Sequence, residues 1–303
     1  RRAASRSTVS GGHLDSAPRS ALRATRRGSM KLALVVSVEE TGFDAVAVRG
    51  RWDEGVRMAA LLGYDAVELA IRDTAAIDRK ALQRVIRDSG LAVAAIGTGQ
   101  AYLKDGLSLT SDDAGIRARA SERIASHSPL ASEFGAPIIV GLIRGRVARD
   151  RTATDARFID ALRRLVEVVD RDVRVLVEPI NRYETDYLNT IDEVLGIIER
   201  IGASRIQVLA DTFHMNIEER TMEDALRNCG RRLGHVHVAD SNRQAPGFGH
   251  LNFAKILAVL EEIRFEGYMS AEILPVPDPE SAARQTVKYL KSLRAEAHTG
   301  EGM

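Results

Sequence analysis

The sequence predicts an α/β protein built as a single (β/α)8 TIM barrel, and three observations support this fold class. From Lys31 onward, eight short apolar segments alternate with eight segments of helical pattern, which favours a parallel sheet. The alternating region spans about 265 residues, close to the size of a closed barrel of eight units. The segment after the first strand, SVEETGFD, lacks the glycine-rich phosphate loop that an open doubly wound sheet usually carries there.

Each predicted strand is a short, nearly continuous apolar run, as expected for parallel strands that are buried on both faces. In the segment VLVEPINRYETDYLNT, Pro179 cannot donate to a sheet, so the strand is expected to end at Glu178. Glu178 would therefore stand at the rim of the sheet. Strands are predicted at residues 31–38, 64–71, 91–96, 137–142, 173–178, 205–211, 233–239 and 268–274.

The helices are predicted from apolar spacing and from the signals at their ends. Gly63 suits a C-cap, Thr190 with Glu193 forms a capping box, and Pro279 suits the first turn of the last helix. The fourth helix carries an apolar stripe on one face: Phe158, Leu162, Leu165, Val166 and Val169. The other helices are expected at residues 50–62, 75–88, 112–133, 191–201, 222–229, 253–263 and from 278 onward, and residues 97–110 are expected to form a loop.

Composition excludes several kinds of protein. The single cysteine, Cys229, rules out an intramolecular disulfide and a cysteine-rich metal site, and it suits a reducing compartment, so we expect a cytoplasmic location. No segment approaches the roughly 18 apolar residues that a membrane span requires. The chain has a net charge of +1, but residues 1–29 alone carry seven arginines and one aspartate, so the remainder is mildly acidic. An acidic body argues against a nucleic-acid partner.

The arginine-rich and serine-rich residues 1–29 show no apolar periodicity and are expected to form a disordered leader, with Met30 as the natural start. A transit peptide is the alternative interpretation of the same composition. Residues 30–296 are expected to form the catalytic barrel, and residues 297–303 a disordered tail.

Four polar side chains stand at the ends of successive predicted strands: Glu178, Asp211, His237 and Glu272. In a barrel these ends converge, and three carboxylates at short range repel each other unless a cation lies between them. This oxygen-rich set suits Mn²⁺ or Mg²⁺, with Co²⁺ also possible. Taken singly, each acid could be a solvated rim residue. His237 could be a packing histidine, which is what we expect of His235.

Further polar residues follow the strand ends and could contact a substrate. Glu184, His214 and Arg243 could bind hydroxyl groups or an oxyanion, although a loop ion pair or a helix cap explains each equally simply. Arg144 and Arg146, in GLIRGR, could pair with the carboxylate of a sugar acid, because guanidinium binds carboxylate through two hydrogen bonds. The alternative for both arginines is a surface role in capping a loop.

The segments VEPINRYETDYLNT, LADTFHMNIEE, HVHVADSNRQAPGFGH and SAEILP resemble the D-tagatose 3-epimerase group of xylose-isomerase-like sugar isomerases and epimerases. With IGTGQAYLKDGLSLT and GLIRGR, the pattern is most similar to the 5-keto-L-gluconate epimerases. The resemblance runs from about Met30 to the final helix. It implies that Glu178, Asp211, His237 and Glu272 are metal ligands and that Glu184, His214 and Arg243 are substrate contacts. A keto-sugar or keto-sugar acid as the small-molecule partner is expected, and we also expect a homo-oligomer, either a dimer or a tetramer.

The chemistry of the four residues agrees with epimerisation next to a ketone. A metal ion, most simply Mn²⁺, would stabilise the enediolate, while Glu178 and Glu272 would exchange the roles of acid and base. An aldose–ketose isomerase, such as hydroxypyruvate isomerase, uses the same intermediate and remains an alternative. An endonuclease acting on abasic DNA would need several metals with extra histidine ligands, and a non-catalytic sugar-binding barrel would not need both glutamates.

Overall fold

The computed structural model describes residues 30–299, with side chains described as far as residue 296. Nine parallel strands form one sheet, and β1 pairs with both β3 and β9, so eight of the strands close into a barrel. The two-residue β2 pairs only with β1, outside the ring. The strands are β1 (Lys31–Ser37), β2 (Val48–Arg49), β3 (Ala66–Ala70), β4 (Ala92–Gly97), β5 (Ile138–Val140), β6 (Val175–Val177), β7 (Ile206–Asp211), β8 (Leu233–Val238) and β9 (Tyr268–Ala271). The predicted (β/α)8 fold is confirmed.

Helices surround the barrel as a second layer. They are α1 (Trp52–Leu62), α2 (Arg79–Ser89), α3 (Gly99–Asp105), α4 (Ala114–Ser126), α5 (Ser128–Phe134), α6 (Arg151–Val168), α7 (Ile191–Ile201), α8 (Thr212–Glu218), α9 (Met222–Cys229), α10 (Phe253–Glu262) and α11 (Pro279–Thr299). Short 3-10 turns lie at Thr74–Ala76, Leu142–Arg144 and Gly230–Arg232. No helix within residues 30–299 combines the length and apolar character that crossing a membrane requires.

The core has two parts because each strand is buried on both faces. The main cluster lies between the sheet and the helices, where α6 buries Phe158, Leu162 and Leu165 of its predicted stripe. Two small clusters are separate from it. They come from the first, third, fourth, fifth, sixth and seventh strands and comprise Ala33, Ala66, Ala94, Ala95, Ile139, Leu176 and Leu209. We assign them to the barrel interior, which such side chains fill in layers.

The end signals that located the helices are confirmed. The Thr190 side chain accepts from the backbone of Glu193, whose side chain accepts from the backbone of Thr190, so the capping box is complete. Gly63 ends α1 with φ 81°, a left-handed conformation that glycine adopts without a steric penalty. The backbone of Ser281 donates to Asp278 at the start of α11.

Three short elements differ from the sequence-based prediction. The helix expected over residues 112–133 is two helices, α4 and α5, which meet at His127 with Pro129 in the first turn of α5. The expected loop at 97–110 contains α3, and α8 follows β7 without a loop. Helices of seven residues gain their stability from tertiary packing and not from local propensity, so the local pattern does not reveal them.

The predicted domain limits can be compared with the structure only in part. Helix α11 continues to Thr299, so the expected tail at 297–303 begins inside a helix. The expected leader at residues 1–29 lies outside the described residues, as do residues 300–303.

Candidate active site

Four side chains meet at the carboxyl end of the barrel. Glu178 directly follows β6, Asp211 ends β7, His237 lies in β8, and Glu272 directly follows β9. Their ligand atoms all lie within 4.8 Å of one another. Glu178, Asp211 and His237 are buried, and Glu272 is partly buried. The barrel therefore brings together the four residues that were predicted to converge at the strand ends.

The electrostatics of this acid cluster follow from its burial. Burial, together with the charges of Glu272 and Asp211, raises the pKa of Glu178 to about 7 against the opposing effect of His237. Burial would also raise the pKa of Asp211, but the Arg243 guanidinium outweighs it and holds that pKa well below its usual range. Because the carboxylates repel each other, positive charge is needed among them.

His237 presents a ring nitrogen to the three carboxylates. Its Nε2 lies 3.0 Å from Glu68 Oε1, and because a carboxylate only accepts, this nitrogen is the donor. Its Nδ1 faces Glu272 Oε2 at 3.4 Å, Glu178 Oε1 at 3.5 Å and Asp211 Oδ2 at 3.7 Å. This Nδ1 is buried and has no hydrogen-bond partner. Burial lowers the pKa of His237, but the charges of Glu68 and Glu272 outweigh burial and raise it well above its usual value.

A buried polar atom without a partner is rare and requires an explanation. A divalent cation bound by the Nδ1 of His237 and by oxygens of Glu178, Asp211 and Glu272 supplies one. These residues therefore fit a metal ion. The donor set, one imidazole and three carboxylates, suits Mn²⁺, Mg²⁺ or Co²⁺ better than a metal that prefers thiolates.

A second group with suitable ligand atoms, Glu68, His235 and His237, is better explained by hydrogen bonds. The Nε2 of His235 lies 2.9 Å from Glu68 Oε2 and 2.8 Å from Ser270 Oγ. Burial would raise the pKa of Glu68, but the two histidines outweigh it and hold that pKa well below its usual range. The expectation that His235 is a hydrogen-bonded packing histidine agrees with this geometry.

Asn181 determines which nitrogen of His214 carries the proton. The Asn181 amide nitrogen donates to Glu184 Oε1 at 3.0 Å and lies 2.8 Å from His214 Nδ1. Since the carboxylate can only accept, the amide nitrogen must face both groups, so Nδ1 accepts and the ring proton is on Nε2. Burial lowers the pKa of His214 to about 3. His214 is therefore a neutral donor, with Nε2 3.8 Å from Glu178 Oε1.

Arg243 reaches the same cluster from the loop after β8. One of its nitrogens donates to Asp211 Oδ2 at 2.5 Å and another donates to Glu272. Its guanidinium also lies 4.9 Å from the centre of the Phe213 ring. His214, Glu184 and Arg243, the three predicted substrate contacts, thus all lie beside the four converging residues.

Arg144 does not lie where a substrate contact was predicted. Its side chain is fully buried, and its three guanidinium nitrogens donate to the carbonyl oxygens of Gly141, Glu178, Tyr187 and Leu188. Burial lowers its pKa to about 10, so it stays charged at neutral pH. With its donors used by the backbone, it has none for a carboxylate of the substrate. We therefore correct that prediction: Arg144 holds together the loops after β5 and β6.

A cavity opens above the acid cluster. Glu178, Glu272, His237, His214 and Glu184 form its polar side. The rest of its wall is mainly apolar and includes Val35, Phe43, Val46, Leu103, Ile139, Leu142 and Ile180. No lysine or arginine belongs to the described residues that line it. Arg146, the other arginine considered for a sugar acid, is exposed and donates to the backbone oxygen of Glu184.

Sequence reasoning missed Glu68, Asn181 and Gly141. Glu68 lies inside β3, whereas only the last polar residue of each strand was considered. A charged residue within the apolar run YDAVELAI was the signal that could have found it. Nothing local distinguished Gly141, which lies beside Glu178 in the folded barrel.

We expect Gly141→Ala to displace the Glu178 carboxylate. A Cβ atom at residue 141 would lie 2.7 Å from Glu178 Oε2, which is too close for any side chain. A shift of about 1 Å at a reacting group lowers turnover by roughly 10²-fold. Gly196→Ala in α7 is the control, because a Cβ there meets no atom within 4 Å. Kinetics and Mn²⁺ titration of both variants test this, and equal turnover in the two would contradict it.

Comparison with known proteins agrees with the fold. The D-psicose 3-epimerase of Enterocloster bolteae is 41% identical over 122 residues, an alignment that spans 40% of each chain. The L-ribulose 3-epimerase of Methylomonas sp. is 29% identical over 247 residues, covering 77% of this chain and 84% of that one. A solved L-ribulose 3-epimerase structure superposes with a TM-score of 0.75 at 25% identity, covering 89% of this chain and 98% of the other.

These relatives are ketose epimerases, which are isomerases that act on carbohydrates. The pattern of the xylose isomerase-like TIM barrel family matches residues 56–293, most of the chain. With the closed barrel and the cluster at its carboxyl end, this match establishes that the chain belongs to the xylose isomerase-like TIM barrel family.

Proposed function

We propose that this protein is a metal-dependent ketose epimerase, which removes the proton from a carbon next to a ketone and returns one to the opposite face. The observation that carries the proposal is that Glu178, Asp211 and Glu272 converge on the Nδ1 of His237, which is buried and has no hydrogen-bond partner. The ketose epimerases among the relatives support it. A metal bound there, Mn²⁺ by preference or else Mg²⁺ or Co²⁺, would polarise the substrate carbonyl and stabilise the negative charge that develops on it.

The residues around the cluster have complementary tasks. Glu178 and Glu272 belong to strands three positions apart in an eight-membered ring, so they approach a bound sugar from different directions. One takes the proton and the other supplies one, and the roles reverse for the reverse reaction. The Nε2–H of His214 and the guanidinium of Arg243 donate to the oxygen on which charge develops. Glu184, held by Asn181, binds a substrate hydroxyl.

A neutral ketose fits the cavity better than a keto-hexonic acid such as 5-keto-L-gluconate. A buried carboxylate needs a cationic partner, yet no described residue that lines the cavity is a lysine or arginine. Arg144 is committed to backbone carbonyls, and Arg243 is assigned to the oxygen on which charge develops. The apolar part of the wall suits the carbon skeleton of a sugar. The relatives are named for neutral ketoses, D-psicose and L-ribulose, which supports the same choice.

The test is an incubation in D₂O with Mn²⁺ and a panel of D-fructose, D-tagatose, L-ribulose and keto-hexonic acids. We expect deuterium at the carbon beside the carbonyl in the neutral ketoses, together with an epimeric product. Chelation of the metal with EDTA should abolish exchange. An aldose as the main product would favour the isomerase alternative, and faster exchange in the acids would refute the neutral-ketose assignment. No exchange in any sugar would refute the proposed function.

A further inference from the structure

We propose that Glu68 is a positioning residue, which keeps the proton of His237 on Nε2 and so presents Nδ1 as the ligand for a divalent cation. The inference rests on the proposed function, because it concerns the same metal site. Glu68 lies in β3, on the far side of the His237 ring from the acid cluster, and the sequence assigned it no role.

Carboxylates lie near both ring nitrogens of His237, so the proton could be on either Nδ1 or Nε2. On one side, carboxylate oxygens of Glu178, Asp211 and Glu272 lie 3.4–3.7 Å from Nδ1 and attract a proton to that nitrogen. On the other side, Glu68 Oε1 accepts from Nε2 at 3.0 Å, and its Oε2 lies at 3.2 Å. A ring that binds a cation through one nitrogen carries its single proton on the other, so the Glu68 hydrogen bond holds that proton on Nε2 and leaves the lone pair of Nδ1 to the cation.

The burial and the contacts of Glu68 favour the proton on Nε2. It is only 2% exposed, so little water competes for its oxygens. Its Oε2 also accepts from His235 Nε2 at 2.9 Å, and that nitrogen lies 2.8 Å from Ser270 Oγ. The carboxylate is thereby fixed against the His237 ring, since partners of this kind hold a ligating histidine in one tautomer and orientation. Without Glu68, the proton would move to Nδ1 and block the cation.

The test compares Glu68→Met with Glu68→Gln in the full-length protein, with Mn²⁺ affinity measured by calorimetry without any sugar. Met removes the acceptor and should weaken Mn²⁺ binding by roughly 10–100-fold, as losses of such partners do. Gln retains an acceptor, because its amide oxygen can take the Oε2 position that already contacts both histidines. We therefore expect Gln to restore an affinity close to that of the wild type.

A spectroscopic readout separates positioning from general loosening. With saturating Co²⁺, the visible absorption of Glu68→Gln should match the wild type, whereas that of Glu68→Met should change because His237 coordinates poorly. Tyr64→Phe is the control for the loss of a buried hydrogen bond, since Tyr64 donates to the Ala283 carbonyl at 2.9 Å outside the cluster. Its Mn²⁺ affinity should be unchanged.

Wild-type Mn²⁺ affinity in Glu68→Met would overturn this inference alone. If that variant does not fold, Glu68→Asp replaces it, because its shorter side chain withdraws the carboxylate from His237. Unchanged affinity and an unchanged Co²⁺ spectrum in Glu68→Asp would overturn the inference equally. An affinity in Glu68→Gln as low as in Glu68→Met would also overturn it, because charge and not the acceptor would then matter. Wild-type protein that binds no Mn²⁺ would overturn the proposed function as well.

Discussion

Glu178→Gln is expected to lower the turnover of a ketose by roughly 10²–10⁴-fold, because an amide can neither take nor return the substrate proton. Glu272→Gln should have an effect of the same size, since the proposed reaction needs one glutamate to take a proton and the other to supply one. Both variants also remove one charged oxygen from the acid cluster that we propose as the metal site, so Mn²⁺ affinity should fall too. Turnover at saturating Mn²⁺ and the rate of deuterium exchange from D₂O measure the catalytic loss separately from the loss of metal.

The control for this prediction is Glu199→Gln, which removes a carboxylate of the same kind from the exposed face of α7. Its turnover and Mn²⁺ affinity should equal those of the wild type. A Glu178→Gln protein that bound metal normally and turned over at the original rate would contradict the assignment of Glu178 as a proton-transfer residue.

Arg144→Met is expected to lower the free energy of unfolding by about 3–5 kcal/mol, as breaking a buried charged network does. The substitution leaves the carbonyl oxygens of Gly141, Glu178, Tyr187 and Leu188 without their shared donor in a buried position. Because two of these carbonyls belong to Gly141 and Glu178, the site should also lose order. Urea denaturation of the metal-free protein measures the stability loss without a contribution from bound Mn²⁺.

Arg146→Met is the matched control, two residues along the same loop. Its side chain is exposed and donates to a single carbonyl, that of Glu184, so its stability should stay close to that of the wild type. If Arg144→Met were as stable as the wild type and had lost activity only toward keto-hexonic acids, Arg144 would be a substrate contact after all.

Much of the barrel could be predicted because its signals are local. Each of these signals is formed by residues close together in the sequence. Examples are the apolar runs of strand length, the capping box of Thr190 and Glu193, and the proline directly after Glu178. The convergence of Glu178, Asp211, His237 and Glu272 could also be predicted, since a closed ring of parallel strands brings every strand end to one face. The short helices α3 and α8 could not, because their stability comes from packing.

The sequence by itself thus determined the fold class, the family and the four residues that meet at the end of the barrel. Only the tertiary structure decided what surrounds them. Glu68 contacts His237 across 169 residues of chain, and Arg144 takes its partners up to 44 residues away. An arginine in a loop motif has the same local pattern whether it faces a substrate or backbone carbonyls. The partners that distinguish these two roles come together only when the ring of strands closes.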